Sequence, residues 1–140
     1  MAYFDTSALI KLVFAEQGSD LARELWDRAD SIASSQLVYP EARAAAALAF
    51  RTGRIDARTL RSAVAAIDDL HAELRVIGID GPLAQLAGEL AERHGLRGYD
   101  AVHLASAIAI EDAALVTVTW DRELADATIA CGRAVVPLSS

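Results

Sequence analysis

The sequence of 140 residues has one cysteine, Cys131, and one lysine, Lys11; its other twelve basic residues are all arginine. A lone cysteine excludes an intrachain disulfide. With only three scattered histidines beside it, there is no ligand spacing for a zinc site. With no lysine beyond Lys11, phosphate-binding loops that end in Gly-Lys-Ser/Thr are excluded, and no G-x-G-x-x-G fingerprint is present either. No apolar run approaches the ~18 residues of a membrane span, and the N-terminus reads as a strand rather than a signal peptide. The three prolines stand far apart, and no linker, internal repeat or low-complexity tract breaks the chain. These absences predict a single domain over residues 1–140, cytoplasmic and without membrane contact.

What is present is the balance of a globular protein, with 54% apolar and 24% charged residues. A chain of this size can bury a sizeable core without covalent staples. The net charge of −7 argues at first against a nucleic-acid partner, because phosphate contacts need Lys and Arg. If four of the 20 acids belong to one metal site, 16 acids face 13 bases and the balance is only −3.

Periodicity alternates short strands with helices. Ala2 to Phe4 reads as a strand, followed by a helix from Thr6 to about Glu16 and a second helix after Gly18. Ser31 to Ala33 reads as a short strand, and a long helix after Ser34-Ser35 runs to about Arg51. Asp56 caps a helix carrying Leu60, Ile67 and Leu70 on one face. Arg75 to Ile79 is the next strand, and Gly81-Pro82 and Gly95 bracket another helix. Tyr99 to about Asp112 is helical, Leu115 to Val118 a buried strand, Asp121 the start of the last helix, and Ala134 to Val136 the last strand. Strands spaced by helices predict an α/β sandwich with a mainly parallel central sheet.

Three aspartates share one situation. Asp5 ends the first strand before a helix, Asp121 follows a later strand before another helix, and Asp100 lies in the first turn of the helix after Gly98. Glu41 lies in a first helical turn after Pro40. Each taken alone is explained by helix capping or the helix dipole. Taken together they differ, because ligands of open α/β sheets bind outside the carboxyl ends of the strands. Four carboxylates meeting there without cations would raise one another's pKa values. A divalent metal removes that cost, and oxygen-only ligands suit Mg²⁺ or Mn²⁺. Such sites serve phosphoryl chemistry.

The segments around these acids resemble those of the PIN-domain ribonucleases, in particular the VapC-type toxins of bacterial toxin–antitoxin pairs. The matching segments are Tyr3-Phe4-Asp5-Thr6-Ser7-Ala8-Leu9, Tyr39-Pro40-Glu41, Tyr99-Asp100-Ala101-Val102-His103-Leu104-Ala105 and Thr117-Val118-Thr119-Trp120-Asp121. Their order and spacing match over nearly the whole chain. The resemblance implies a PIN-like three-layer sandwich and metal-assisted hydrolysis of RNA that leaves a 5′-phosphate and a 3′-hydroxyl. Asp5 and Asp100 would be the central ligands of Mg²⁺ or Mn²⁺, with Glu41 and Asp121 completing the acidic cluster directly or through water. Thr6, Ser7 and Thr119 would be hydroxyls that orient the carboxylates. The partners implied are the RNA substrate, a VapB-type antitoxin and a second copy of the chain. One departure is the Tyr39-Pro40 pair before Glu41, where the family often has a small polar residue.

Arg43 and Arg97 flank the acids and are the candidates for contacts to substrate phosphate, since arginine can fork onto phosphate oxygens. His103, one turn after Asp100 on an apolar helix, reads as a core or supporting histidine. Arg54, Arg58 and Arg61 read as a solvated face. Trp26, Trp120, Phe14 and Phe50 read as core aromatics, and Cys131 as a small buried apolar residue. Two rival functions are weighed. A phosphoaspartyl phosphatase or receiver would use Asp5 as nucleophile, but Ser7 stands where a phosphatase repeats its acid, and no late-strand lysine exists for a receiver. A non-cleaving PIN-like module that binds RNA or antitoxin would usually have lost one of the four acids.

Overall fold

Strand β1 (Ala2–Phe4) is buried along its whole length, and its side chains go alternately to two different layers, as a pleated strand requires. Ala2 and Phe4 join a core with Ala8, Leu9, Trp26, Val38 and Ile67, while Tyr3 packs on the opposite side with Ala107, Ile110 and Leu115. The strand is therefore the middle of a sandwich.

The computed structural model describes residues 1–138. After β1 come α1 (Thr6–Val13), α2 (Ser19–Arg28), β2 (Ile32–Ser35), α3 (Val38–Arg51), α4 (Ala57–Ala72) and β3 (Arg75–Ile77). The remainder is α5 (Gly81–His94), α6 (Gly98–Ile108), β4 (Val116–Val118), α7 (Arg122–Ala130) and β5 (Ala134–Val136). The sheet order is β3-β2-β1-β4-β5, and every pairing is parallel. This is the expected α/β sandwich: α1 to α4 feed the core around Phe4, and α5 to α7 supply Leu83, Leu90, Leu104 and Leu124 to the other side.

The order has one reversal. From β1 the chain moves outward to β2 and β3, then returns to pair β4 on the other side of β1. Phe4 is level with Val118 in that pairing, so the residues leaving β1 and β4 emerge together at the carboxyl edge. That is the switch point, where open α/β sheets leave a crevice.

Strand β4 starts at Val116, one residue later than the periodicity gives, and four other boundaries depart from it, each with a local cause. Strand β2 covers Ile32–Ser35 rather than Ser31 to Ala33, because Ser34 and Ser35 are wholly buried strand residues. The Ser34 hydroxyl donates to the Phe4 carbonyl at 2.5 Å, and Ser35 Oγ accepts from the Leu37 N–H at 3.1 Å. Helix α1 stops at Val13 rather than near Glu16, because Phe14 turns to extended backbone and Ser19 Oγ bonds both the Phe14 carbonyl and the Glu16 N–H. Strand β3 stops at Ile77 rather than Ile79, whose N–H donates to the side chain of Gln36. Helix α6 stops at Ile108 rather than near Asp112, with the Arg133 guanidinium donating to the Ile108 carbonyl.

The aromatics divide. Trp26 is buried and meets Phe4 edge-on at 5.3 Å between ring centroids. Phe14 and Trp120 are half-buried against the same core. Phe50 is not a core residue: it sits at the end of α3 with 41% of its surface exposed. Cys131 is half-buried rather than buried, its Sγ 3.6 Å from His94 Nε2. Arg54, Arg58 and Arg61 are exposed, as a solvated face should be.

Candidate functional site

Asp5 follows β1 directly and caps α1, its Oδ1 accepting from the Ala8 N–H at 3.0 Å. The same oxygen accepts from Ser7 Oγ at 2.7 Å, and Oδ2 accepts from Thr119 Oγ1 at 2.6 Å. Asp5 is only 3% exposed. Burial pushes its carboxyl above the usual carboxylate range, and the pull of His103, the two hydroxyls and the Ala8 N–H offsets only part of that push.

Thr119 and Trp120 tie the loop after β4 to the loop after β1. Thr119 Oγ1 donates to Asp5 and accepts from the Asp121 N–H at 3.0 Å. Ser7 Oγ accepts from the Trp120 N–H at 2.9 Å. Asp121 caps α7, its Oδ1 accepting from the Leu124 N–H at 3.1 Å. Ser7 and Thr119 thus fix the Asp5 carboxylate, while Thr119 also fixes the backbone that presents Asp121.

Asp100 lies in the first turn of α6 and is 5% exposed. Burial raises its carboxyl and so does the charge of Asp121, against the opposing pull of Arg97. Arg97 spans both acids: Nε donates to Asp100 Oδ2 at 3.1 Å, and Nη2 lies 3.5 Å from Asp121 Oδ2. Its guanidinium also stacks on the Tyr99 ring, 4.7 Å from the centroid.

Glu41, in the first turn of α3, meets a different set. Its Oε1 accepts from Thr6 Oγ1 at 2.8 Å and lies 2.7 Å from His103 Nε2. Burial pushes Glu41 up, but the bonds and charge of His103 together with Thr6 outweigh it and hold the carboxyl below its ordinary range. His103 is 2% exposed, and its Nδ1 lies 2.8 Å from the Tyr3 hydroxyl. Burial raises the Tyr3 phenol far enough to keep it protonated at all physiological pH.

All four acids therefore reach the carboxyl edge of the sheet, each with a distinct partner set. Among the described residues no three His, Cys, Asp or Glu side chains are grouped closely enough, as placed, to hold one ion. As placed, Arg97 pairs with Asp100 and Asp121, and His103 holds Glu41 through Nε2. Arg43 departs from the sequence reading. Its Nη1 donates to the Tyr39 hydroxyl at 2.8 Å, and that hydroxyl donates to Asp68 at 2.6 Å, a bracket between α3 and α4. Sequence reasoning missed Tyr3 as a site residue. Its signals were its place at the head of the Tyr3-Phe4-Asp5 segment and the two-residue spacing to Asp5, just past the end of β1.

Comparison with known proteins gives consistent answers. A family model described as PIN domain matches residues 2–129. Two Mycobacterium tuberculosis proteins, Ribonuclease VapC45 of strain CDC 1551 / Oshkosh and Ribonuclease VapC49 of strain ATCC 25618 / H37Rv, are each 45% identical over 137 residues. That match spans 98% of this chain and 95% of each relative. The crystal structure of PAE2754 from Pyrobaculum aerophilum superposes with a TM-score of 0.70 and 29% identity, covering 96% of this chain and 83% of that one. A toxin–antitoxin complex from Klebsiella pneumoniae contains the same fold, with a TM-score of 0.66, 22% identity and full coverage of both chains. With the model matched along the body of the chain and relatives alike over nearly their whole length, this protein belongs to the PIN-domain family.

Proposed function

We propose that this chain is a divalent-metal-dependent endoribonuclease that acts as the toxin of a toxin–antitoxin pair. The observation that carries the reading is that Asp5 and Asp121 stand on the loops that follow the adjacent strands β1 and β4, bridged by Thr119, with Glu41 bonded to Thr6 and Asp100 joined to Asp121 through Arg97. The near full-length match to proteins named ribonucleases supports RNA as the substrate. Their VapC names, and the occurrence of the fold in a toxin–antitoxin complex, support a VapB-type antitoxin as partner. The RNA substrate we propose places the protein's work in the cytoplasm. No helix among the described residues is long and apolar enough to cross a membrane.

The donor set fits a hard cation. Every candidate ligand is a carboxylate oxygen, two of the acids are buried and pushed toward protonation, and among the described residues the guanidinium paired with Asp100 and Asp121 is that of the exposed Arg97. Asp5 and Asp100 would hold Mg²⁺ or Mn²⁺, with Asp121 and Glu41 completing the shell. When bound, such an ion supplies an acidified water at neutral pH and offsets charge on the phosphate oxygens.

The chain's own residues perform the remaining work. Ser7, Thr119 and the Ala8 N–H orient Asp5, so that its oxygens need not reorganise during reaction. Arg97, 58% exposed at its side chain, can leave the acids and fork onto phosphate oxygens of the RNA. Arg43, engaged with Tyr39, is the weaker candidate for that contact.

The test is cleavage of total RNA with Mn²⁺ or Mg²⁺, with EDTA, and with an Asp100→Asn protein purified identically. Metal-dependent cutting that the variant lacks is the expected result. Metal binding without cutting would favour the non-cleaving module, and absence of metal binding would overturn the nuclease reading.

A further inference from the structure

Three of the four acids are held by the start of the helix that carries them. Asp5 and Asp121 accept backbone N–H groups as caps, and Asp100 is paired with the Arg97 that precedes its helix. Glu41 is different. Its side chain is the longest of the four, and the partners recorded for its carboxylate are two side chains from elsewhere in the fold, Thr6 of α1 and His103 of α6. A glutamate left free would spread over many rotamers, and fixing it costs conformational entropy.

His103 is built to impose that fixation. It is 2% exposed and bridges three elements: its own α6, the Tyr3 hydroxyl of β1 at 2.8 Å on Nδ1, and Glu41 of α3 at 2.7 Å on Nε2. An ionised carboxylate only accepts, so Nε2 carries the proton that faces Glu41. Thr6 Oγ1, 3.2 Å from the same nitrogen, donates to the same Glu41 oxygen. The Tyr3 ring meets the imidazole edge-on, with 78° between the planes, so the imidazole is constrained by the ring as well as by the hydroxyl. Neither Tyr3 nor His103 is exposed enough to touch RNA.

From this arrangement the geometry points to His103 as a positioning residue that acts through Glu41, with Tyr3 setting its orientation from behind. This deepens the proposed nuclease reading and rests on it. The imidazole orients one carboxylate toward the cation site while the helix that carries it delivers Asp100 one turn earlier, so α6 governs two of the four acids.

The experiment titrates Mn²⁺ alone into EDTA-stripped protein by calorimetry, with thermal unfolding in EDTA as the measure of folding. His103→Phe removes both ring nitrogens, and loss of such a supporting bond weakens metal affinity about 10–100-fold. In a Glu41→Gln background the same change is expected to have no further effect, and His103→Gln, which keeps a donor near Nε2, should recover most of the affinity. If His103→Phe does not fold, Tyr3→Phe removes only the hydroxyl and should weaken Mn²⁺ several-fold in the same way. Wild-type affinity in a folded His103→Phe or Tyr3→Phe protein would overturn the inference, provided Glu41→Gln is weakened. Additive losses from His103→Phe and Glu41→Gln would also overturn it, since His103 would then act elsewhere. Wild-type affinity in Glu41→Gln would instead remove Glu41 from the site, and the inference with it.

Discussion

Thr119 Oγ1 lies 2.6 Å from Asp5 Oδ2, across two strands that are 114 residues apart in sequence and adjacent in the sheet. This one hydroxyl also accepts the Asp121 N–H, so it couples an acid from the first loop to the backbone of an acid from the last. The coupling exists because β4 inserts beside β1 rather than beyond β3. Removing the hydroxyl while keeping the branched shape isolates its role. Thr119→Val should cost about 1–3 kcal/mol of stability, because a buried carboxylate oxygen and an N–H both lose a partner. Cleavage should fall about 10–100-fold. Denaturant unfolding and initial cleavage rates on total RNA measure the two losses separately.

Asp5 gives a pH dependence whose sign follows from its burial. Its carboxyl is raised in the folded protein, so between the ordinary aspartate pKa and that raised value the folded state binds more protons than the unfolded chain. Its stabilising contribution is complete below the unfolded pKa and is lost as pH rises through the folded one. Asp100 acts in the same direction. Glu41, lowered by His103 and Thr6, acts in the opposite direction and loses its contribution as pH falls. Metal-free Asp5→Asn should therefore melt higher than wild type at neutral pH, with the gain vanishing in acid. Asn remains a good cap, so helix α1 is not the variable. Thermal melts in EDTA across the acid-to-neutral range decide it; a gain that persists unchanged in acid would mean that the charge is not the cause.

Arg97 makes two opposed predictions. It sits on Asp100 and Asp121 and so competes with any cation for them. Arg97→Ala should bind Mn²⁺ several-fold more tightly by calorimetry, because the competitor is gone. The same variant should bind RNA less tightly and with a shallower salt dependence, because one phosphate contact is lost. Unchanged RNA affinity and salt slope would remove Arg97 from the substrate contacts while leaving its effect on the acids intact.

Much of this arrangement was legible in the sequence because it is local. A strand, an aspartate and a helix start in succession mark Asp5 and Asp121, and Asp56 and Asp80 cap their helices by the same chemistry. Ser7 was legible for the same reason, lying two residues from the acid it serves. The bonds of Tyr3 and His103, and the reach of Arg97 to Asp121, were harder for a common reason. Their partners are set by the return of β4 and by the seating of α6 behind β1, and periodicity within a single element reports neither. Phe50 shows the converse error, since an aromatic on an apolar helix reads as core although here its neighbour Ala49 is the buried residue and Phe50 is 41% exposed.

Gly18 joins backbone conformation to the site. Its φ of +95° is one that L side chains rarely adopt, and a Cβ there would lie 2.9 Å from Trp120 Nε1. The Trp120 indole also lies beneath Lys11 Nζ, 5.5 Å from the ring centroid, and its backbone N–H is bonded to Ser7 beside Asp5. Gly18→Ala should therefore cost about 1–3 kcal/mol through backbone strain and further through displacement of the indole. Cleavage should drop as well, because the Trp120 backbone lies between Thr119 and Asp121. Gly88→Ala is the matched control. It sits exposed in the interior of α5 with nothing within 4 Å of the new methyl group, so it should stabilise by about 0.5–1 kcal/mol and leave cleavage unchanged. Tryptophan fluorescence, unfolding and cleavage measured on both variants separate the two contributions. A Gly18→Ala protein that is destabilised but keeps its tryptophan emission and cleavage rate would place the whole effect in the backbone and none in the loop that carries Asp121.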